Sequence, residues 1–292
     1  MALAAAGALC IAFSGILVRL ADVPPSTAAF YRCAYAVPVL ALLALWERRR
    51  YGPRAPGQAR LAWLAGAFFA ADLILWHHAI AAVGAGLATV LGNVQVVLVG
   101  LAAWAVLGER PERRLLAAVP IVFLGIVLIS GVLDEEAYGS DPALGVLFGV
   151  LTAIAYSGFL LVLRAGTQDV RRPGSSLFDA TLASALVTLP AGWALGELDL
   201  VATAEAHAWL VTLALTSQVV GWLLISAALP RVPAAITSVV ITLQPVCSVL
   251  LAMLLLDEAP SALQLAGIAV VIAGIVLATV RRRLQPAPAP AT

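Results

Sequence analysis

Gln95 and Gln244 stand 149 residues apart, each set within a run of about twenty apolar residues that gives an amide little company. A carboxamide offers donors and acceptors but is neither a nucleophile nor a base, so such a pair points to recognition rather than bond-breaking. Along the second run Thr237, Gln244 and Ser248 fall at i, i+7 and i+11, one stripe of a helix. In the first run Thr89 and Asn93 share a face, whereas Asn93 and Gln95 lie about 200° apart, so only one of these two can look squarely into a common lumen. Gln218 and Trp222 are four residues apart beside Ser217, and Thr152 and Tyr156 have the same spacing beside Ser157. Amides and hydroxyls next to aromatic rings suit an amphipathic zwitterion, which needs polar partners for its head and an apolar wall for its side chain.

Ionisable residues are scarcer. Asp72 has Trp76 one turn later on the same face, and an acid in mid-membrane costs about 2.5–3.5 kcal/mol on insertion scales, so it requires a reason. Arg32 is placed to reach it. Two readings stand side by side: a structural Arg32–Asp72 pair, or a proton-coupling or substrate-gating role for Asp72. His77 and His78 point about 100° apart, and with His207 as the remaining histidine they form no metal site, which leaves His77 as an outer-vestibule or binding residue. Cys10, Cys33 and Cys247 have no ligand spacing and read as buried thiols. No convergent nucleophile, base or metal set emerges, so no catalytic residue and no cofactor is expected.

The elements that carry these residues follow from composition. The 292-residue chain is 62% hydrophobic and 11% charged, and its mean hydropathy is +1.02. Apolar runs of about twenty residues match a bilayer about 30 Å thick crossed at 1.5 Å per residue. Ten spans are expected, at 2–20, 27–46, 61–82, 85–107, 114–132, 142–164, 175–196, 206–229, 232–256 and 261–280. The first lacks a basic n-region and a small-residue cleavage site, so it reads as a retained helix.

The basic residues are all arginine, and their clusters follow spans 2, 4, 6, 8 and 10, while the loop after span 5, DEEAYGSD, is acidic. The positive-inside rule then places the arginine side and both termini in the cytoplasm. The formal charge of +1 gives no reason to invoke nucleic acid. The tail QPAPAPAT reads as a dispensable Pro/Ala extension.

Sliding the chain by 149 residues lays 84–130 over 233–279 without a gap, with 16 of 47 positions identical. The repeat aligns LGERP at 107–111 with LDEAP at 256–260, and Gln95 with Gln244. A unit of five helices enters the membrane from opposite sides in its two copies, so the fold class is all-α integral membrane, ten transmembrane helices in two five-helix inverted-topology repeats. The expected divisions are a first repeat over 1–133, a linker at 134–141, a second repeat over 142–280 and a tail at 281–292. Glu109 and Glu258, two residues before Pro111 and Pro260, read as helix-start carboxylates for spans 5 and 10. Ala118 and Gly125, aligned with Gly267 and Gly274, read as close packing within a monomer.

Paired halves that each end in a small-residue helix, an L-x-E-x-P turn and a G-I-V-L helix resemble the EamA-type branch of the drug/metabolite transporter superfamily. AFYRCAYAVP at 29–38, FSG at 13–15 and YSG at 156–158 add to the likeness, which runs from about residue 3 to 280. The resemblance implies a secondary transporter exporting amino acids or related small metabolites through a bacterial-type inner membrane, with aromatic amino-acid exporters among the similar proteins. It implies alternating access, a small-molecule substrate and protons as the candidate coupling ion. A drug or other metabolite carrier, a non-transporting membrane protein and a membrane enzyme are the alternatives. Sugar phosphates fit less well, because Arg32 is the one secure mid-membrane cation. One departure is that Gln244 precedes Pro245 while Gln95 precedes Val96.

Overall fold

A continuous apolar run that must satisfy its own backbone in hydrocarbon becomes a helix, and a computed structural model of the chain shows ten of them. It describes residues 2–107, 111–167, 169, 171–228 and 234–279, among which there is no strand. Glu109, Arg110, Arg231, Arg281, Arg282 and Arg283 lie outside the described residues, as do the side chain of Thr237 and the rest of the 281–292 tail.

The helices are α1 (Ala2–Ala12 and Ser14–Ala21), α2 (Pro25–Tyr51), α3 (Pro56–Val83), α4 (Ala85–Gly92 and Gln95–Leu107) and α5 (Arg113–Ile129). The second half supplies α6 (Pro142–Gly166), α7 (Pro173–Ala194), α8 (Ala204–Leu213, a π-helical turn at Ala214–Gly221, and Trp222–Ala228), α9 (Ala234–Leu255) and α10 (Ala262–Thr279). Seven described segments are individually long and apolar enough to cross a membrane, and shorter apolar segments at Ala5–Ala21 and Leu243–Leu255 fall in α1 and α9. Prolines open α2, α3, α6 and α7, where a missing N–H costs nothing. Asp141 caps α6 by accepting from the Leu144 amide at 2.9 Å, and Thr203 caps α8 by accepting from Ala206 at 3.1 Å.

Packing joins the halves throughout. α2 and α3 lie against α7, α3 also lies along α6, α4 meets α9, and α5 meets α10. The α5–α10 contact is close: a Cβ on Gly125 would sit 2.6 Å from Val271 Cγ2, and one on Gly267 would sit 2.8 Å from the Gly125 carbonyl. These small residues are consumed by packing inside the chain.

Two local features differ from the sequence reading, and a third was not foreseen by it. α9 continues through Pro245, whereas α4 breaks at Asn93 and Val94 without a proline. There Asn93 Nδ2 donates to the Thr89 carbonyl at 2.8 Å, and the Val94 and Val97 amides bond three residues back rather than four, tightening the turn after the weak helix former Gly92. Glu258 caps a helix, but not α10. Its carboxylate accepts from the amides of Ala85 at 2.6 Å and Gly86 at 3.1 Å, the opening turn of α4 in the other half. Gly84 turns the chain into that helix with φ of 87°, and a Cβ there would meet the Glu258 carboxylate at 2.8 Å. α10 is opened instead by Ser261 and Gln264, each side chain accepting the other's backbone amide at 3.2 and 3.0 Å. Glu47 is the third feature. From α2 it accepts from Gly174 and Ser175 amides at 2.9 and 2.7 Å, so it caps α7 as Glu258 caps α4.

Candidate functional site

The α4 break opens onto one pocket. α1, α2, α3 and α4 from the first half and α6, α8 and α9 from the second border it, and it holds about 450 Å³ of atom-free space, open solvent included. Its wall includes Arg32, Asp72, Trp76, Asn93, Tyr156, Trp222 and Gln244, seven residues that the sequence singled out, drawn from positions as far as 212 residues apart. Ser14, Thr89 and Thr152 add hydroxyls, and Phe69 and Leu73 add apolar surface.

Arg32 is buried in α2, and its Nε donates to Gln218 Oε1 at 3.1 Å while the guanidinium carbon lies 5.6 Å from the centroid of the Trp76 ring. Gln218 is in turn fixed by donating from Nε2 to Thr181 Oγ1 at 3.1 Å. Asp72 is also buried, on α3, and the two charges make no direct ion pair among the described residues. The expected Arg32–Asp72 pair takes no direct ion-pair geometry: Gln218 and Trp76 hold the guanidinium, and Asp72 lies close enough to feel its charge while lining the same space. An arginine and a carboxyl group, both buried and both lining this space, suit a zwitterion.

The opposite requirement, an apolar surface, is met by rings. Trp222 meets Tyr156 edge to face at 6.2 Å between centroids and Phe69 likewise at 6.2 Å, and Phe159 backs all three. Two polar atoms of this wall, Thr152 Oγ1 and Trp222 Nε1, are buried without a hydrogen-bond partner among the described residues.

Five of the expected site residues are placed elsewhere. Gln95 does not border the cavity. The α4 break resets the register, so Gln95 opens the second segment and its carbonyl accepts from Ser157 Oγ at 3.4 Å. Ser157 spends its hydroxyl mainly on the Ala153 carbonyl, at 2.6 Å. Ser248 donates to Thr89 Oγ1 at 3.0 Å, tying α9 to α4 just behind the wall. Gln218 acts through Arg32, turned toward α2 and α7 by the π-helical stretch. His77 is buried beside Trp76, outside the cavity, because its neighbour takes the polar direction: His78 meets Glu197 at 2.8 Å.

Sequence reasoning missed Phe69, Thr152's neighbour-free hydroxyl and the π turn. Phe69 lies three residues before Asp72, a signal that helical spacing could have supplied. The π turn has no comparable mark. Among the described residues no group of three or more His, Cys, Asp or Glu side chains is arranged to hold a metal.

Comparison with known proteins agrees with this architecture. Residues 1–131 and 143–280 match the model of a family described as the EamA-like transporter family. No curated protein matches the chain. A solved structure titled "Crystal structure of protein" is similar at a TM-score of 0.65 and 18% identity, covering 95% of this chain and 97% of that one, a likeness of fold.

Proposed function

Because the chain belongs to the EamA-like transporter family, multi-pass membrane transporters of the drug/metabolite transporter superfamily, we propose that it exports amino acids or closely related zwitterionic metabolites by alternating access around this cavity. The observation that carries the reading is the wall itself. Arg32 and Asp72 border the same space unpaired, between the orphaned polar atoms of Thr152 and Trp222 and the rings of Phe69, Tyr156 and Trp222.

In this reading Arg32 receives the substrate carboxylate, with Gln218 as its positioning residue, and Asp72 receives the ammonium. Asn93 and Gln244 reach the polar head from the two repeats, and Trp76, Tyr156 and Trp222 sheathe the side chain. Gln95, Ser157, Ser248 and His77 hold the wall in place. Protons are the candidate coupling ion, with Asp72 as the group that exchanges them when substrate is absent. The arginine-bearing ends of α2, α6 and the α5 and α7 starts face the cytoplasm, which puts both termini inside a bacterial-type inner membrane. Five-helix halves of opposite orientation supply two equivalent ways to close, one toward each side. A sugar phosphate is served less well, because a dianion calls for convergent cations and Arg32 faces an acid.

The test is counterflow into proteoliposomes with a panel of labelled amino acids and decarboxylated or deaminated analogues. Saturable exchange of an intact amino acid supports the reading. Exchange confined to cations or to anions refutes the zwitterion assignment.

A further inference from the structure

A second cleft opens at the arginine-bearing end of the bundle, between the first half and the second. Along α2, Ala41, Ala44, Leu45 and Arg48 follow i, i+3, i+4 and i+7, a single face about 10 Å long that runs from the interior of the helix to its charged end. The alanines leave a groove, walled on the far side by Phe178 of α7, and the whole cleft contains about 1000 Å³ of atom-free space. Three guanidinium groups rim it against one carboxylate, Asp179.

Each cation is differently engaged. Arg54 is spent on Asp179, with a further hydrogen bond to Ser176 Oγ at 3.3 Å. Arg172 is fixed by donating to the carbonyls of Tyr51 and of Gly52, the latter at 2.8 Å; it lies over the Tyr51 ring, and its Nε is 3.3 Å from a carboxylate oxygen of Asp169, which Arg171 also engages. One carboxylate shared between Arg171 and Arg172 leaves that pair of guanidinium groups with a net positive charge. Arg48 is exposed at the rim. The cleft is thus a cationic mouth on an apolar groove, and its flank is hydrocarbon-facing: Leu42 and Trp46, on the neighbouring face of α2, are 70% and 56% exposed.

We propose that this cleft seats one anionic phospholipid, its phosphate on Arg48 and Arg172 and the upper part of an acyl chain along Ala41, Ala44 and Leu45. Charge complementarity selects an anion, and the groove selects one that continues into the membrane. The occupant bridges α2 and α7, where Glu47 already joins the two halves, so binding adds to the cohesion of that junction.

The full chain in neutral detergent is titrated with phosphatidylglycerol or phosphatidylcholine, and retention is read by native mass spectrometry alongside the melting temperature. One phosphatidylglycerol is retained and raises the melting temperature, while phosphatidylcholine does neither. Arg48→Gln, an exposed substitution, weakens retention roughly fivefold, the loss expected for one basic residue near an anionic surface. Ala44→Trp fills the groove, leaves every charge in place and abolishes retention. Wild-type retention by either variant overturns the proposal, as does equal retention of phosphatidylcholine. Equal stabilisation by inorganic phosphate overturns the lipid assignment in favour of a headgroup-only site.

Discussion

Asp72→Asn is the perturbation that bears most directly on the substrate. Asp72 is buried and makes no direct ion pair with Arg32, so its neutralisation breaks no salt bridge among the described residues. What it removes is a charged acceptor for the substrate ammonium. A hydrogen bond to a charged group contributes about 1.5–3 kcal/mol, and 1.4 kcal/mol is tenfold, so affinity for an amino acid should fall by about tenfold to about a hundredfold. The deaminated analogue, which carries the same carboxylate and side chain, should bind wild type and variant alike. Trp76 and Trp222 border the cavity, so tryptophan fluorescence titration of detergent-purified protein reports both affinities. A parallel loss for both ligands would mean that the substitution rearranges the wall. An unchanged amino-acid affinity would mean that Asp72 does not meet the ammonium, and either result refutes the reasoning.

The aligned glutamines should part company: Gln244→Leu should weaken substrate affinity about tenfold in the same titration, whereas Gln95→Leu, off the wall, should leave it unchanged. Gly125→Ala places a methyl 2.6 Å from Val271 Cγ2 and 2.8 Å from the Gly267 carbonyl, so it should destabilise the chain by about 1–3 kcal/mol, read as a lowered melting temperature. In the loop after α7, burial pushes the Glu197 carboxyl up, but hydrogen bonds from Ser26 and His78 outweigh it and hold the group below its ordinary value of 4.5. A depressed acid contributes stability that is full above that value and lost as pH falls through the folded one, so melting temperature should drop on acidification below about pH 4.5, and Glu197→Gln should flatten that limb. In a background with Cys10, Cys33 and Cys247 replaced, a cysteine at exposed Arg49 should be labelled from the cytoplasmic side and one at exposed Glu135 from the opposite side. Labelling of both from one side would contradict the helix count between them.

The ten helices were legible because hydrocarbon imposes a length and forbids unsatisfied backbone, so each span announces itself whatever its neighbours do. The joints between helices were less legible, since they depend on which ends meet. LDEAP reads naturally as the start of its own following helix. Only in three dimensions does Glu258 reach past Pro260 to the amides of Ala85 and Gly86, leaving Ser261 and Gln264 to open α10. Glu47 is more opaque still: it sits in the run WERRR and looks like one more interfacial charge, yet it is buried on the first turn of α7.

The same distinction governs the site. A polar residue in a span declares itself by its cost, which is why Arg32, Asp72, Asn93 and Gln244 could be named from the sequence. Cost does not say which way a side chain turns. Periodicity gives relative angles along an unbroken helix, and it fails where the helix changes pitch. Asn93 and Gln95 flank such a point, so the duplication aligns Gln95 with Gln244 while the α4 break takes Gln95 off the wall and keeps Asn93 on it. Gln218 precedes the end of a π-helical stretch and turns to Arg32, while Trp222 just beyond it faces the cavity. The two irregularities belong to α4 and α8, one helix from each half: Asn93 at the first lines the pocket, and Trp222 lines it just past the second. Backbone that departs from α-helical pitch within a membrane needs other partners for its polar groups, and protein or a polar space supplies them where lipid cannot. The breaks that defeated the periodicity argument therefore lie at, or just before, residues that line the pocket we propose as the binding site.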